Sequence, residues 1–505
     1  MSGSFIQSAR LLAGMTLLSR ILGMARDMLA ASVFGLTAIW DAFAIAFLVP
    51  NLFRRLFGEG ALASSFVPVF VEHLERDGKP AASRLLSALC TGVVLILTAV
   101  SAAGIVAALV LPHVSGDAQV ARVCGLLAIM LPYMILICVV AVLSAALNSV
   151  GHFAAPAAAP VLLNVFLIGT LLFVAGDAHE KIVLFAWAVV AAGALQVALQ
   201  LWPLRAHGIR LRPSLAFDQP GVREIKRLFL PATLGVGILQ INELVDKIIA
   251  GIFVDEGGVS ALYFSDRFVF LPLSMIGVAL ATAVLPTLSR ATARDDREGF
   301  DAEFARGLRV AIFLSVPAAT GLLLLAEPLI RVVFERGEFD AVATARTARV
   351  LFFYSTGLLF FTCNHLFVRA FYAHKDTATP FRIMGSMVAL NLVLNLVLVQ
   401  TPLREAGLAL ATAITGALNL LALGAALRRR HGVRVGRGVA ASLGASLLIA
   451  AVHAPALYVL RDPAFVTLPS EVVRLVLCLV AGAGITFALG CVWARREVRD
   501  ILGRG

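Results

Sequence analysis

Fourteen stretches of twenty or more predominantly apolar residues follow one another along this chain. They lie near 5–33, 38–57, 82–112, 120–149, 155–176, 182–204, 224–253, 260–289, 304–326, 346–372, 378–400, 404–427, 437–460 and 471–494. An α-helix rises about 1.5 Å per residue, so ~20 apolar residues cross a hydrocarbon core of ~30 Å. The expected fold class is an all-α polytopic membrane protein of about 14 transmembrane helices. Composition agrees, with 60% apolar and 14% charged residues, where a soluble chain carries about a quarter charged. The net charge of +11 then reads as Lys and Arg crowding cytoplasmic loops, not as a nucleic-acid footprint.

Six cysteines (Cys90, Cys124, Cys138, Cys363, Cys478 and Cys491) fall in the apolar blocks without a CxxC pair, and read as small buried hydrophobes. The first block is interrupted by Arg20, Arg26 and Asp27 and lacks a small-x-small cleavage site. It reads as a retained first span. The chain shows no Walker A sequence, HExxH or nucleophile elbow, and no large extramembrane segment to house a catalytic site, so an enzyme is not expected. His73, His365 and His374 stand apart in the sequence and read as solvated or packed.

Charge sets the orientation. Segment 205–227 holds Arg205, Arg210, Arg212, Arg223, Lys226 and Arg227; segment 428–437 holds Arg428, Arg429, Arg430, Arg434 and Arg437; the tail adds Arg495, Arg496, Arg499 and Arg504. The loop between spans 7 and 8 offers Asp255 and Glu256 without Lys or Arg. An even number of spans puts the basic segments on one side, so both termini are expected in the cytoplasm. The outward segment 327–349 departs from this with mixed charge.

The chain also echoes itself. ALASSFVP at 61–68 returns as ALATAVLP at 279–286, an offset of 218, and ALNSVGHFAAP at 146–156 returns as AFYAHKDTATP at 370–380, an offset of 224. Two echoes at nearly one offset predict duplicated six-helix bundles in the same orientation, a class whose sites lie between the halves. The expected organisation is a six-helix lobe at 1–204, a basic cytoplasmic linker at 205–223, a second lobe at 224–427, and two extra helices with a cytoplasmic tail at 428–505.

Charges inside the spans carry the functional argument, because each costs about 2.5–3.5 kcal/mol at bilayer depth. In span 1, SRILGMARD brings Arg20, Arg26 and Asp27; Gly23 offers a place for the helix to bend. Arg26 and Asp27 also fit an interfacial helix end. Span 2 carries Asp41, then Arg54, Arg55 and Glu59 after Pro50, with snorkelling at the surface the plain reading of Arg55. Span 8 carries Asp266 and Arg267 in YFSDRFVF. Guanidinium is always charged and grips phosphate oxygens in pairs, so arginines from both repeats select an anion such as a pyrophosphate. A separate polar set, Asn242 and Asp246 in span 7, Asn391 and Asn395 in span 11 and Thr412 in span 12, reads either as interhelical hydrogen bonding or as a hard-cation or proton site. Glu243 and Lys247 are spaced for a local ion pair.

SRILGMARD at 19–27, WDAFAIAFLVPNLFRRLFGEGALASSFVP at 40–68, YFSDR at 263–267 and FYAHKDTATP at 371–380, in this order, resemble the MurJ (MviN) family, flippases of bacterial cell-wall synthesis in the MATE-like multidrug/oligosaccharidyl-lipid/polysaccharide superfamily. The resemblance spans nearly the whole chain. It implies two six-helix lobes around a V-shaped cavity, with spans 13 and 14 forming a groove for a polyprenyl tail. It puts the substrate-binding arginines at Arg20, Arg26, Arg54 and Arg267, and supporting or gating acids at Asp27, Asp41, Glu59 and Asp266. Phe270 stands where some members carry a carboxylate. A sodium site is implied at Asp246, Asn391, Asn395 and Thr412, with Asn395 where some members have an acid.

The expected activity is alternating-access transfer of lipid II, an undecaprenyl-diphosphate-linked disaccharide-peptide, across the bacterial cytoplasmic (inner) membrane. Sodium or proton coupling and the membrane potential are the expected drives. The expected partners are membrane lipid, lipid II and cell-wall synthesis enzymes, without nucleic acid. The rivals are a flippase for another polyprenyl-linked glycan, a cation-coupled multidrug exporter and a non-transporting scaffold.

Overall fold

The computed structural model describes residues 2–501 apart from 59–60, 464–465 and 467–469. Among the described residues the chain is helical, without a β-strand. It divides into two compact units, Met1–Leu244 and Val245–Gly505. The first holds α1 (Ser2–Phe34), α2 (Ala38–Gly58), α3 (Ala61–Arg76), α4 (Gly78–Ser115), α5 (Ala118–Ser149), α6 (Ala154–Phe173) and α7 (Ala178–Ala206), and most of α8 (Pro220–Phe253). The second holds α9 (Gly258–Pro272), a π-helical turn (Leu273–Val278), α10 (Ala279–Ala293), α11 (Arg297–Phe334), α12 (Ala341–Thr356) and α13 (Leu358–Ala373). It continues with α14 (Ala378–Leu398), α15 (Glu405–His431), α16 (Arg437–Arg461), α17 (Glu471–Trp493) and α18 (Arg495–Ile501).

Each of the fourteen apolar blocks coincides with a helix or an adjoining set of helices. Short polar side chains start several of them: Asp117, Asp177, Asp296, Asp340 and Ser470 each accept from a first-turn backbone N–H of the helix that follows, satisfying donors that have no intrahelical partner. Among the described residues ten helices are long and apolar enough to cross a membrane. The number is eleven if α12 and α13, bent by 43° at their junction, form one span. The expectation of fourteen also counted α1, α2 and α8. These are 33, 21 and 34 residues long; ionisable side chains interrupt the apolar runs of α1 and α2.

Within the first unit α5 packs against α2, α4 and α7, α1 packs on α6, and α6 on α7. Within the second, α12 and α13 pack against α9, α10, α11 and α15, and α14 on α15. The packing of α5 on α2, α4 and α7, and of α6 on α7, thus recurs six spans later. In lipid there is no hydrophobic force between helices, so close approach at small residues holds such bundles together. A Cβ on Gly193 would lie 2.6 Å from the Tyr133 ring, and one on Gly416 2.5 Å from Phe361. Helices α16 and α17 pack on each other and on α11. The short α18 is pinned to α11 by ion pairs of Arg306 with Asp500 at 3.0 Å and of Arg309 with Glu497 and Asp500 at 3.6 and 3.4 Å.

The two sequence echoes mark equivalent corners. The first echo opens two helices, since Ala61 begins α3 and Ala279, 218 residues on, begins α10. The second echo is a pair of helix ends: Gly151 sits at φ +78° and Lys375, 224 residues on, at φ +59°. In each, the next N–H closes the turn, His152 onto the Leu147 carbonyl and Asp376 onto that of Phe371, the geometry that ends helices through a left-handed residue. His207 and His431, also 224 apart, cover these corners. His207 lies against His152 (ring centroids 5.5 Å apart), and His431 stacks on His374 at 4.3 Å. His374 is therefore not isolated, since the fold pairs it with a histidine 57 residues away in sequence.

Between α7 and α8 the basic segment is an extended strap laid along α4. Backbone N–H groups of Arg210, Arg212 and Ser214 donate to the hydroxyls of Ser83, Ser87 and Thr91 at 3.2, 3.1 and 3.0 Å. Two extended residues advance ~6.6 Å and four helical residues ~6.0 Å, so alternate strap amides meet successive helical turns. The mixed charges of 327–349 resolve into pairs, Arg331 with Glu327 and Glu335 and Arg346 with Glu405.

Candidate functional site

In the first unit the site grows from the arginines of α1 and α2. Asp27 is 2% exposed, and its Oδ1 accepts from Arg26 Nε at 3.0 Å and Nη2 at 2.7 Å. Arg26 Nη1 donates to Asn164 Oδ1 of α6 at 3.1 Å, while Asn164 Nδ2 donates to the Ser19 carbonyl at 3.1 Å. A buried asparagine therefore ties the cation to a point seven residues back on its own helix. Helix α1 runs unbroken through Gly23, and a Cβ there would lie 3.7 Å from Asn164 Nδ2. The expected bend gives way to a close approach of α6. Asn164 is the residue that sequence reasoning missed, although an amide in the middle of an otherwise apolar block was a visible signal.

Arg20 is exposed, six residues before Arg26 on the same helix. Arg54 Nε donates to Asn51 Oδ1 at 3.0 Å. Arg26 and Arg54 both lie within electrostatic reach of the buried Tyr133 hydroxyl of α5, which puts two of the named arginines in one neighbourhood. Arg55 does not snorkel to a free surface. Its Nη1 donates to Gln240 Oε1 at 2.7 Å, and it forms an ion pair with Glu243 of α8. Asp41 is 5% exposed in the first turn of α2, where the helix dipole favours a carboxylate. Glu59 lies outside the described residues.

In the second unit Arg267 of α9 stacks on Tyr263 one turn back, with Cζ 4.4 Å from the ring centroid, and Lys247 Nζ lies 5.8 Å from the same ring. Asp266 and Arg267 are half-buried, and Phe270 is exposed. A guanidinium over an aromatic face keeps its edge available for oxygens while its plane is occupied.

Of the polar set, Asp246, Asn391, Asn395 and Thr412 converge. Asn395 Nδ2 donates to Asp246 Oδ1 at 2.6 Å and to Asn391 Oδ1 at 2.8 Å, and the Thr412 hydroxyl donates to Asp246 Oδ2 at 3.4 Å. Asn391 Nδ2 reaches the hydroxyls of Thr412 and Thr415 at 3.4 and 3.3 Å. Asp246, Asn391 and Asn395 are buried. The donors are one carboxylate, two amide oxygens and hydroxyls. Asn395 Oδ1 is a buried oxygen that accepts no hydrogen bond among the described residues. That chemistry fits a monovalent hard cation or a proton. Among the described residues no group of three His, Cys, Asp or Glu side chains gathers to hold a metal ion.

The family model described as lipid II flippase MurJ matches residues 30–472. A probable lipid II flippase MurJ of Rhizobium meliloti (strain 1021) is 35% identical over 507 residues, covering 96% of this chain and 93% of the relative. The lipid II flippase MurJ of Burkholderia cenocepacia is 36% identical over 427 residues, covering 83% and 82%. Among solved structures, a lipid II flippase MurJ in an inward closed conformation aligns with a TM-score of 0.78 at 23% identity, covering 97% of this chain and all of that one. An inward-facing MATE family multidrug transporter aligns at 0.68 and 13% identity, covering 82% and 94%. The fold is shared with both.

Proposed function

The chain belongs to the lipid II flippase MurJ family, and from that premise we propose that it moves lipid II from the inner to the outer leaflet of the cytoplasmic membrane by alternating access. As a member of this family it is a multi-pass membrane transporter, not a catalyst. Counting α1, α2 and α8 as polar spans beside the apolar helices gives fourteen crossings, with both termini in the cytoplasm.

The observation that carries the binding step is the fixing of Arg26 inside an apolar helix by Asp27 and Asn164. A guanidinium held in one orientation loses little further freedom when it grips a phosphate. Arg26 and Arg54, with Arg20 on α1, hold the diphosphate from the first lobe. Arg267, braced on Tyr263, serves the second. Asp27 and Asp266 temper the local charge so that the anion can leave, and Asp41 and Glu59 act as gating carboxylates. The polyprenyl tail stays in the lipid beside α16 and α17.

The drive has two parts. A negative-inside potential favours moving an anion outward, by ~2.3 kcal/mol per charge per 100 mV. Asp246, Asn391, Asn395 and Thr412 hold a sodium ion, or Asp246 a proton, whose charge biases one conformation over the other. Enzymes of cell-wall synthesis take up the delivered precursor.

Complementation tests this reading. In cells depleted of their own lipid II flippase, the wild-type chain restores growth, whereas Arg20→Ala and Arg267→Ala, present in the membrane at wild-type level, do not. Full growth with both variants would remove Arg20 and Arg267 from the mechanism.

A further inference from the structure

An apolar cavity of about 300 Å³ lies within the first unit between α4, the strap and the start of α8. Leu89, Gly92 and Ile96 of α4, Phe57 of α2, Phe217 of the strap and Phe229 of α8 form its walls. Phe57 and Phe229 face each other at 5.2 Å. A Cβ on Gly92 would touch the Phe217 ring at 3.4 Å, so the hydroxyl ladder on α4 holds Phe217 in place as one wall. Leu95 and Ile96, also on its lining, are 51% and 63% exposed, so the cavity opens on the side of α4 that faces lipid.

Among the described residues, the one charged side chain lining the cavity is Lys226, with Nζ 5.9 Å from the Phe217 ring. Among the described residues it forms no ion pair. Segment 205–227 around it carries six basic residues (Arg205, Arg210, Arg212, Arg223, Lys226 and Arg227) against two acidic ones (Asp218 and Glu224). The first turns of the 34-residue α8 also lie at this rim, and their dipole favours an anion.

We infer that this cavity binds an anionic glycerophospholipid, with one acyl chain between α4 and Phe229 and the phosphate at Lys226. The described walls offer a hydrocarbon chain carbon, and among the described residues the lysine is their one polar side chain. The excess of basic charge at the mouth selects an anionic over a zwitterionic lipid. The bound lipid fills a gap between the strap and the bundle and fixes the strap to the membrane surface.

The test uses the full-length protein in bilayer nanodiscs that carry a trace of phosphatidylglycerol or phosphatidylcholine with a photoactivatable acyl chain. Labelled peptides are counted by mass spectrometry after irradiation. The phosphatidylglycerol probe labels peptides 85–97 and 214–229 about five-fold more than the phosphatidylcholine probe, the preference expected of one surface lysine for an anionic headgroup. Lys226→Glu, a change at an exposed side chain, removes that preference. Leu89→Trp, which fills the cavity, removes the label from these peptides while α17 stays labelled as before. Equal labelling by the two probes in the wild type, or unchanged labelling in Leu89→Trp, overturns the proposal.

Discussion

Replacing Asn164 by leucine separates the positioning of Arg26 from its charge. The change keeps the bulk of the side chain and removes both the oxygen that Arg26 Nη1 meets at 3.1 Å and the N–H that reaches the Ser19 carbonyl. The Arg26 side chain is 15% exposed, so water replaces the lost oxygen poorly. A hydrogen bond to a charged group contributes about 1.5–3 kcal/mol net, and 1.4 kcal/mol is a factor of ten, so the aimed orientation of Arg26 becomes about 10- to 100-fold less favoured. Asp27 still anchors Nε and Nη2, so the arginine stays in the membrane and the protein folds. The assay is the rate at which purified protein in liposomes delivers lipid II to the outer leaflet, alongside the melting temperature in detergent. Flipping falls about ten-fold or more while the melting temperature moves by a few degrees at most. Asn164→Asp, which keeps an oxygen within reach of Nη1, retains more activity than the leucine variant. Wild-type flipping by Asn164→Leu, with Arg26→Ala inactive, would refute a positioning role for Asn164.

Two further outcomes follow from the corner between α13 and α14. Lys375 holds φ +59° where its repeat equivalent is Gly151. A left-handed residue with a side chain costs ~1–2 kcal/mol, of which glycine's extra unfolded freedom returns ~0.5–1. Lys375→Gly therefore raises the melting temperature slightly, and a fall would refute the strain. Burial pushes the His374 imidazole below its ordinary value, His431 pushes the same way, and Asp376 opposes both. Burial resists ionisation of Asp376, but its bonds from the Thr379 hydroxyl and amide and from His431 outweigh it and hold the carboxyl below the usual range. A histidine depressed in the fold binds fewer protons than when unfolded, so stability falls as pH drops through the ordinary histidine range. The Asp376 contribution is lost only at lower pH, below the carboxylate range. A melting curve measured from pH 7.5 to 5 shows the loss in wild type and a flatter profile in His374→Gln; identical profiles would refute the assignment.

Spans were legible because hydropathy reports which residues leave water, and every apolar block became helix. The repeat was legible from two short echoes, and its corners proved alike down to the residue that turns left-handed. Partners across the bundle were not legible. Arg26 meets an asparagine 138 residues away and Arg55 a glutamate 188 away. Which faces of two helices meet is decided by packing, which local periodicity does not encode. The strap read as a charged linker because its anchors are hydroxyls on another helix, and serine and threonine look alike whether they face lipid, water or a backbone amide. Asp246 and its amide neighbours were nameable as a set because each helix contributes its polar groups one turn apart.

The hydroxyl ladder on α4 constrains how this segment can change over evolutionary time. Only every second amide of an extended chain points toward the helix beneath it. Insertion or loss of a single residue between 210 and 214 would turn the remaining donors away from Ser87 and Thr91 and rotate Phe217 out of its seat. A change of two residues would restore the alternation at the expense of one rung. Length variation here is thus expected in pairs, a parity rule imposed on a stretch that composition alone would class as a freely variable loop.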